Sequence, residues 1–150
     1  MEKHNNEITL MMESKSQNES LARTIVAAFI APLDPDMDML TDIKTAVSEA
    51  VTNAVIHGYG EQAGKIELSL SLKNGELRVI VSDQGVGIPN IEQAREPLYT
   101  TSVPEMERAG MGFTVMDSFM DSVTVNSLPG QGTTVVMLRD LARDFKNGTS

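Results

Sequence analysis

The sequence predicts an α+β two-layer sandwich, with helices on one face of a mixed, mostly antiparallel sheet. Three observations carry that expectation. Apolar residues alternate near the start and again between Lys65 and Ser82, whereas in the stretch between they recur at helical spacing. Asn74-Gly75 divides the second alternating stretch, and Asn-Gly flanked in this way is the strongest short-range hairpin signal. From Asp83 to Gly112 the periodicity disappears, glycine and proline recur, and the ~30 residues exceed an idle connection in a compact domain, as expected of a lid or binding loop.

Each element follows in order. Ile8, Leu10 and Met12 alternate with Thr9, Met11 and Glu13, the period of a strand packed on one face. Ser16 with Glu19 three residues later has the form of a capping box, and Leu21, Ile25 and Phe29 continue at helical spacing until Pro32. Asp34 to Asp38 is a turn and cap region. Leu40, Ile43, Val47, Ala50, Val51 and Ala54 then mark the buried stripe of a longer helix ending at Gly58. Ile66, Leu68, Leu70 and Leu72, then Leu77, Val79 and Val81, are the two arms of the hairpin. After the aperiodic loop, Phe113, Met116 and Met120 suggest a third helix, Val123 and Val125 a strand, Pro129 to Gly132 a turn, and Val135 with Met137 a last strand. The order is β-α-α-β-β-loop-α-β-β. Only residues 1–6 and Asn147 to Ser150 read as loose, and no linker divides the 150 residues, so a single domain is expected.

Composition narrows the function classes. With 41% apolar and 22% charged residues the chain can bury a core. No apolar run approaches the ~20 residues of a membrane span, and MEKHNNEITL lacks the apolar stretch of a signal peptide, so a cytoplasmic protein with no membrane partner is expected. Without cysteine, and with two histidines far apart, any metal must be held by oxygen. Twelve Lys and Arg against 21 Asp and Glu give a net charge of -9, which opposes direct nucleic-acid binding. The ten methionines fit irregular core filling.

The chemistry-bearing residues lie in four places. Glu49 and Asn53 are four apart on the second helix, so they share a face about 6 Å apart along the axis. With Ser48, Thr52 and His57 they form a polar edge, which by itself reads more readily as solvated surface; His57 reads as a helix-end residue. Asp83-Gln-Gly85-Val-Gly87-Ile-Pro89 leaves a strand with a carboxylate and two glycines, suiting either a sharp turn or close approach of a planar ligand to the backbone. Gly110-Met111-Gly112 opens the third helix, where unpaired N–H groups favour an anion. Gly132-Thr133-Thr134 enters the last strand.

In that order these segments resemble the N, G1, G2 and G3 boxes of the GHKL ATP-binding superfamily of gyrase, MutL and the histidine kinase catalytic domains, and the resemblance spans most of the chain. SEAVTNAVIHGY at 48–59, SDQGVGIP at 82–89 and ERAGMGF at 107–113 are similar to the anti-sigma factor serine kinases. ESLARTIVAAF at 19–29 and FMDSV at 119–123 extend the likeness to the sporulation branch that acts on sigma F. The resemblance implies ATP and Mg²⁺ as cofactors, a lid at about residues 90–112, inhibition of a sigma factor by binding it, phosphorylation of a serine on an anti-anti-sigma factor, and a homodimer. By the same resemblance Glu49 is the general base, Arg108 reaches the terminal phosphate, and Asn53 is the Mg²⁺ ligand. Nucleotide contacts fall to Asn53, Asp83, Gly85, Gly87, Thr101, Gly110, Met111, Gly112 and Thr133. Asp83 would accept from the adenine amino group with support from Thr133. Glu19 and Arg23 would lie on the partner surface, though at i,i+4 they also fit an exposed ion pair.

Three rival readings fit the residues less well. A histidine kinase catalytic domain typically has Asn at the first N-box position, where this chain has Glu49, and it accompanies a helical hairpin that the sequence does not show. A gyrase or MutL type hydrolase shares the glutamate but adds a transducer domain too large for 150 residues. The third is a stand-alone ATP-gated binding module or ATPase without protein kinase activity, and possession of both Glu49 and Asn53 argues against it.

Overall fold

The computed structural model describes residues 5–59, 64–85, 113–128, 130 and 132–141. Alternating apolar residues build its strands: β1 (Asn6–Glu13), β2 (Lys65–Lys73), β3 (Glu76–Asp83), β4 (Ser122–Leu128) and β5 (Gly132–Asp140). They form one sheet in the order β1-β2-β3-β5-β4, and each of its four ladders is antiparallel. On one face Ile66, Leu68, Leu70, Leu72, Leu77, Val79, Val81, Val135 and Met137 are buried. Helices α1 (Asn18–Ile30), α2 (Met37–Asn53) and α3 (113–119) supply the other half of that core. Met12, Met39, Met116, Met120 and Met137 fill it at 6% exposure or less, the use expected of adaptable thioethers.

The β2–β3 hairpin turns where the sequence predicts it. Asn74 and Gly75 both adopt positive φ, 54° and 84°, as a two-residue primed turn requires. Asp36 caps α2, its Oδ1 accepting from the Met39 N–H at 2.7 Å, and Asp34 in the left-handed region ends the preceding turn.

Helix α1 departs from expectation in two ways. No side chain caps it: the Glu19 N–H meets the Ser16 carbonyl at 3.2 Å rather than the Ser16 hydroxyl. The Glu19 carboxylate is drawn away from its own helix end to α2, where it accepts from Ser48 Oγ at 2.6 Å. The buried stripe is also displaced. Ala22, Val26, Phe29 and Ile30 face the core, whereas Leu21 is 46% exposed and Ile25 half-buried, because a helix rotation of about 100° per residue separates two equally regular i,i+4 series. On α2 the same correction moves burial from Leu40 to Met39. Beyond Asn53 the chain does not continue as a regular helix to Gly58 but widens into a π-helical turn, Ala54–Tyr59, a feature that often accompanies functional sites.

Candidate functional site

The sheet topology assembles a cleft at one end of the molecule. Strand β5 inserts between β3 and β4, so the last residue of β3 pairs with the second of β5, Asp83 with Thr133, on the face that meets the helices. The C-terminal end of α2 lies over the same place. Ala50, Asn53, Ala54, Val81, Asp83, Phe113, Thr133 and Val135 line the cleft together, an apolar slot with three polar groups.

Asp83 is 4% exposed. Its Oδ1 accepts from the Gly85 N–H at 2.9 Å, and the backbone N–H of Thr133 bonds the same carboxylate. Burial nevertheless pushes its carboxyl above the usual carboxylate range, against the pull of those two N–H groups. Gly132 is required for this arrangement. At φ 89°, a Cβ there would sit 2.1 Å from the Asp83 carbonyl oxygen and 2.8 Å from Gln84 Cα, so only glycine lets the two strands close behind the carboxylate. Thr133, 8% exposed, has its hydroxyl 2.9 Å from Ser127 Oγ, a residue of β4 that sequence reasoning missed. Period two from Val123 and Val125 places Ser127 on the same face; its meaning emerges only from the pairing of β4 with β5.

Asn53 is 5% exposed, and its Nδ2 has no hydrogen-bond partner among the described residues, an expensive arrangement for an amide unless a ligand completes it. Glu49 stands one turn earlier on α2, half-buried and outside the lining of the slot. The structure thus brings Asn53, Asp83 and Thr133 together, with Gly85 on Asp83 and Glu49 one turn from Asn53. Ser48, expected on an exposed polar edge, is buried at 9% and committed to Glu19, whose carboxylate also faces the Arg23 guanidinium at 3.6 Å. Gly87, Thr101, Arg108, Gly110, Met111, Gly112, the lid at 90–112 and the side chain of His57 lie outside the described residues. Among the described residues no three Asp, Glu or His side chains cluster as a metal cage. No helix among them is long and apolar enough to cross a membrane.

A slot between a helix end and two central strands, closed behind by a glycine, is the geometry to set beside known proteins. The family model of the histidine kinase-like ATPase domain matches residues 12–139. Anti-sigma F factors of Geobacillus kaustophilus and Bacillus subtilis are 54% and 52% identical to it over 139 residues, 92% of this chain and 94% of each relative. The chain belongs to the anti-sigma F factor family of histidine kinase-like ATPase domains. The anti-sigma F factor of Clostridium kluyveri is 55% identical over 134 residues, 89% of this chain and 94% of its own. The likeness in fold alone reaches further. The RsbU and RsbW domains of Rv1364c from Mycobacterium tuberculosis superpose with a TM-score of 0.65 at 20% identity, over 91% of this chain and 32% of that one. The catalytic domain of histidine kinase ThkA gives 0.55 at 19% identity, over 91% and 97%. The helix layer on an antiparallel sheet is therefore the fold of the histidine kinase-like ATPases.

Proposed function

We propose that the protein is a single-domain, cytoplasmic anti-sigma factor and protein serine kinase: it binds Mg-ATP, holds a sigma factor of the sigma F type, and phosphorylates a serine of an anti-anti-sigma factor, working as a homodimer. The observation that carries the reading is the meeting, in one slot, of Asn53 one helical turn from Glu49 with the acceptor pair Asp83 and Thr133.

The residues present fit both groups. Asp83 and Thr133 offer oxygen acceptors beside the apolar walls of Val81, Val135 and Phe113, which suit a flat purine with an exocyclic amine. The buried Asn53 amide has a polar end without a partner among the described residues and contributes an oxygen of the kind a hard divalent cation prefers. When bound, Mg²⁺ neutralises charge on the phosphates and on the transferring phosphoryl group. Glu49 would take the proton of the attacking serine hydroxyl, a contribution of roughly 10² to 10⁴ in rate. Arg108, Thr101, Gly87, Gly110, Met111 and Gly112 keep the roles that the family resemblance gives them, at the terminal phosphate and along the lid. Glu19 and Arg23 would present the partner surface on α1. The names of the relatives support the sigma factor as partner.

Incubation with labelled ATP, Mg²⁺ and candidate sigma and anti-anti-sigma proteins, followed by phosphoamino-acid analysis, tests the reading. Phosphoserine on the anti-anti-sigma protein is expected. Binding of ATP and of sigma factor with no label on any protein would instead leave an ATP-gated binding module.

A further inference from the structure

Ser127, Thr133 and Asp83 stand side by side on adjacent strands, paired in register on the helix-facing side of the sheet. Ser127 Oγ donates to the Gly132 carbonyl at 3.1 Å, and that carbonyl can only accept. The serine hydroxyl has one proton, and with that proton given to the carbonyl the 2.9 Å contact with Thr133 Oγ1 takes its proton from Thr133. Thr133 therefore shows the cleft lone pairs only. The Asp83 carboxylate beside it is also an acceptor, holding the N–H groups of Gly85 and Thr133.

We infer that Ser127 is a positioning residue for base selectivity: by taking the Thr133 proton it fixes that hydroxyl as an acceptor and completes a two-acceptor reader for an exocyclic amine. The inference rests on the nucleotide-binding reading above and extends it to a residue on β4 outside the lining of the slot. A 6-aminopurine supplies the donor that two acceptors need, whereas a 6-oxopurine turns a carbonyl toward them. A threonine hydroxyl free to rotate would serve both, donating to the one and accepting from the other. Selectivity from Thr133 thus depends on its neighbour.

Calorimetric titration of Mg-ATP and Mg-GTP into the parent protein, Ser127→Ala and Ser127→Thr separates the possibilities. The parent is expected to prefer ATP. In Ser127→Ala the ratio of the two affinities should fall roughly tenfold, the worth of one hydrogen bond made or misdirected. In Ser127→Thr, which keeps the hydroxyl, the ratio should stay within a factor of about two of the parent. A merely structural role would weaken both nucleotides alike and leave the ratio at its parental value in Ser127→Ala, which overturns the inference while the nucleotide site stands. A parent that binds neither nucleotide overturns the site reading and the inference together. Should Ser127→Ala not fold, Ser127→Cys, similar in size with a far weaker acceptor, is expected to lower the ratio in the same direction, and a parental ratio there is equally fatal.

Discussion

Two buried polar side chains at the cleft, Asp83 and Asn53, each have a measurable consequence for stability. Asp83 has its carboxyl pushed up by burial, only partly offset by the N–H groups of Gly85 and Thr133. With the folded value above the unfolded one, the group favours folding fully below the unfolded pKa, and that contribution is lost as pH rises through the folded value. Asp83→Asn keeps an oxygen acceptor for the two N–H groups without the buried charge. It should therefore melt above the parent at neutral pH, with the gap closing as pH falls into the carboxylate range, while its affinity for ATP drops about tenfold. Melting curves across pH together with calorimetry check both halves, and an unchanged gap across pH would contradict the electrostatic account. Asn53→Ala removes an amide whose Nδ2 lacks a partner among the described residues, so the melting temperature should hold or rise. Its Mg²⁺-dependent ATP binding should weaken. A Mg²⁺ titration identical to the parent's would remove Asn53 from the metal site.

Between elements, the Ser48–Glu19 hydrogen bond ties the end of α1 to the helix that carries Glu49 and Asn53. Ser48→Ala leaves the carboxylate without that donor and should lower stability by about 1.5–3 kcal/mol, read from denaturant unfolding. The Glu19–Arg23 pair beside it is a weaker bond, 3.6 Å long with the arginine side chain 42% exposed, so Arg23→Glu should change stability by less than about 1 kcal/mol. If α1 meets the sigma factor, the same substitution should cost at least ~10-fold in that complex. Parental affinity would confine Arg23 to solvated surface. These two helices also show where the sequence stops being legible. Asn74-Gly75 announces its hairpin because the requirement for positive φ is local. The core face of α1 is not local: Leu21 looks the better core residue than Ala22, and only the packing against α2, with Glu19 turned to Ser48, sets the rotation that buries the alanine. The π-helical turn after Asn53 has no local signature either.

At the scale of the whole molecule, the insertion of β5 between β3 and β4 converts motifs far apart in sequence into one site, with Asp83 against Thr133 and the end of α2 above them. Residue type and order single out Glu49, Asn53, Asp83 and Thr133 as candidates; they do not single out Ser127, because its contact with Thr133 follows from strand register rather than from any motif. Under the proposed function labour divides across this site: the slot would bind the nucleotide, and Glu49, outside its lining, would act only when a hydroxyl arrives. Glu49→Ala should therefore bind Mg-ATP within about threefold of the parent while phosphoryl transfer falls by roughly 10² to 10⁴. The most direct test is single-turnover transfer of labelled phosphate from ATP to the anti-anti-sigma protein, parent and Glu49→Ala compared at saturating nucleotide. Serine labelling by the parent, with the variant slowed by that factor, is the expected result, and equal rates in the two proteins would contradict the account.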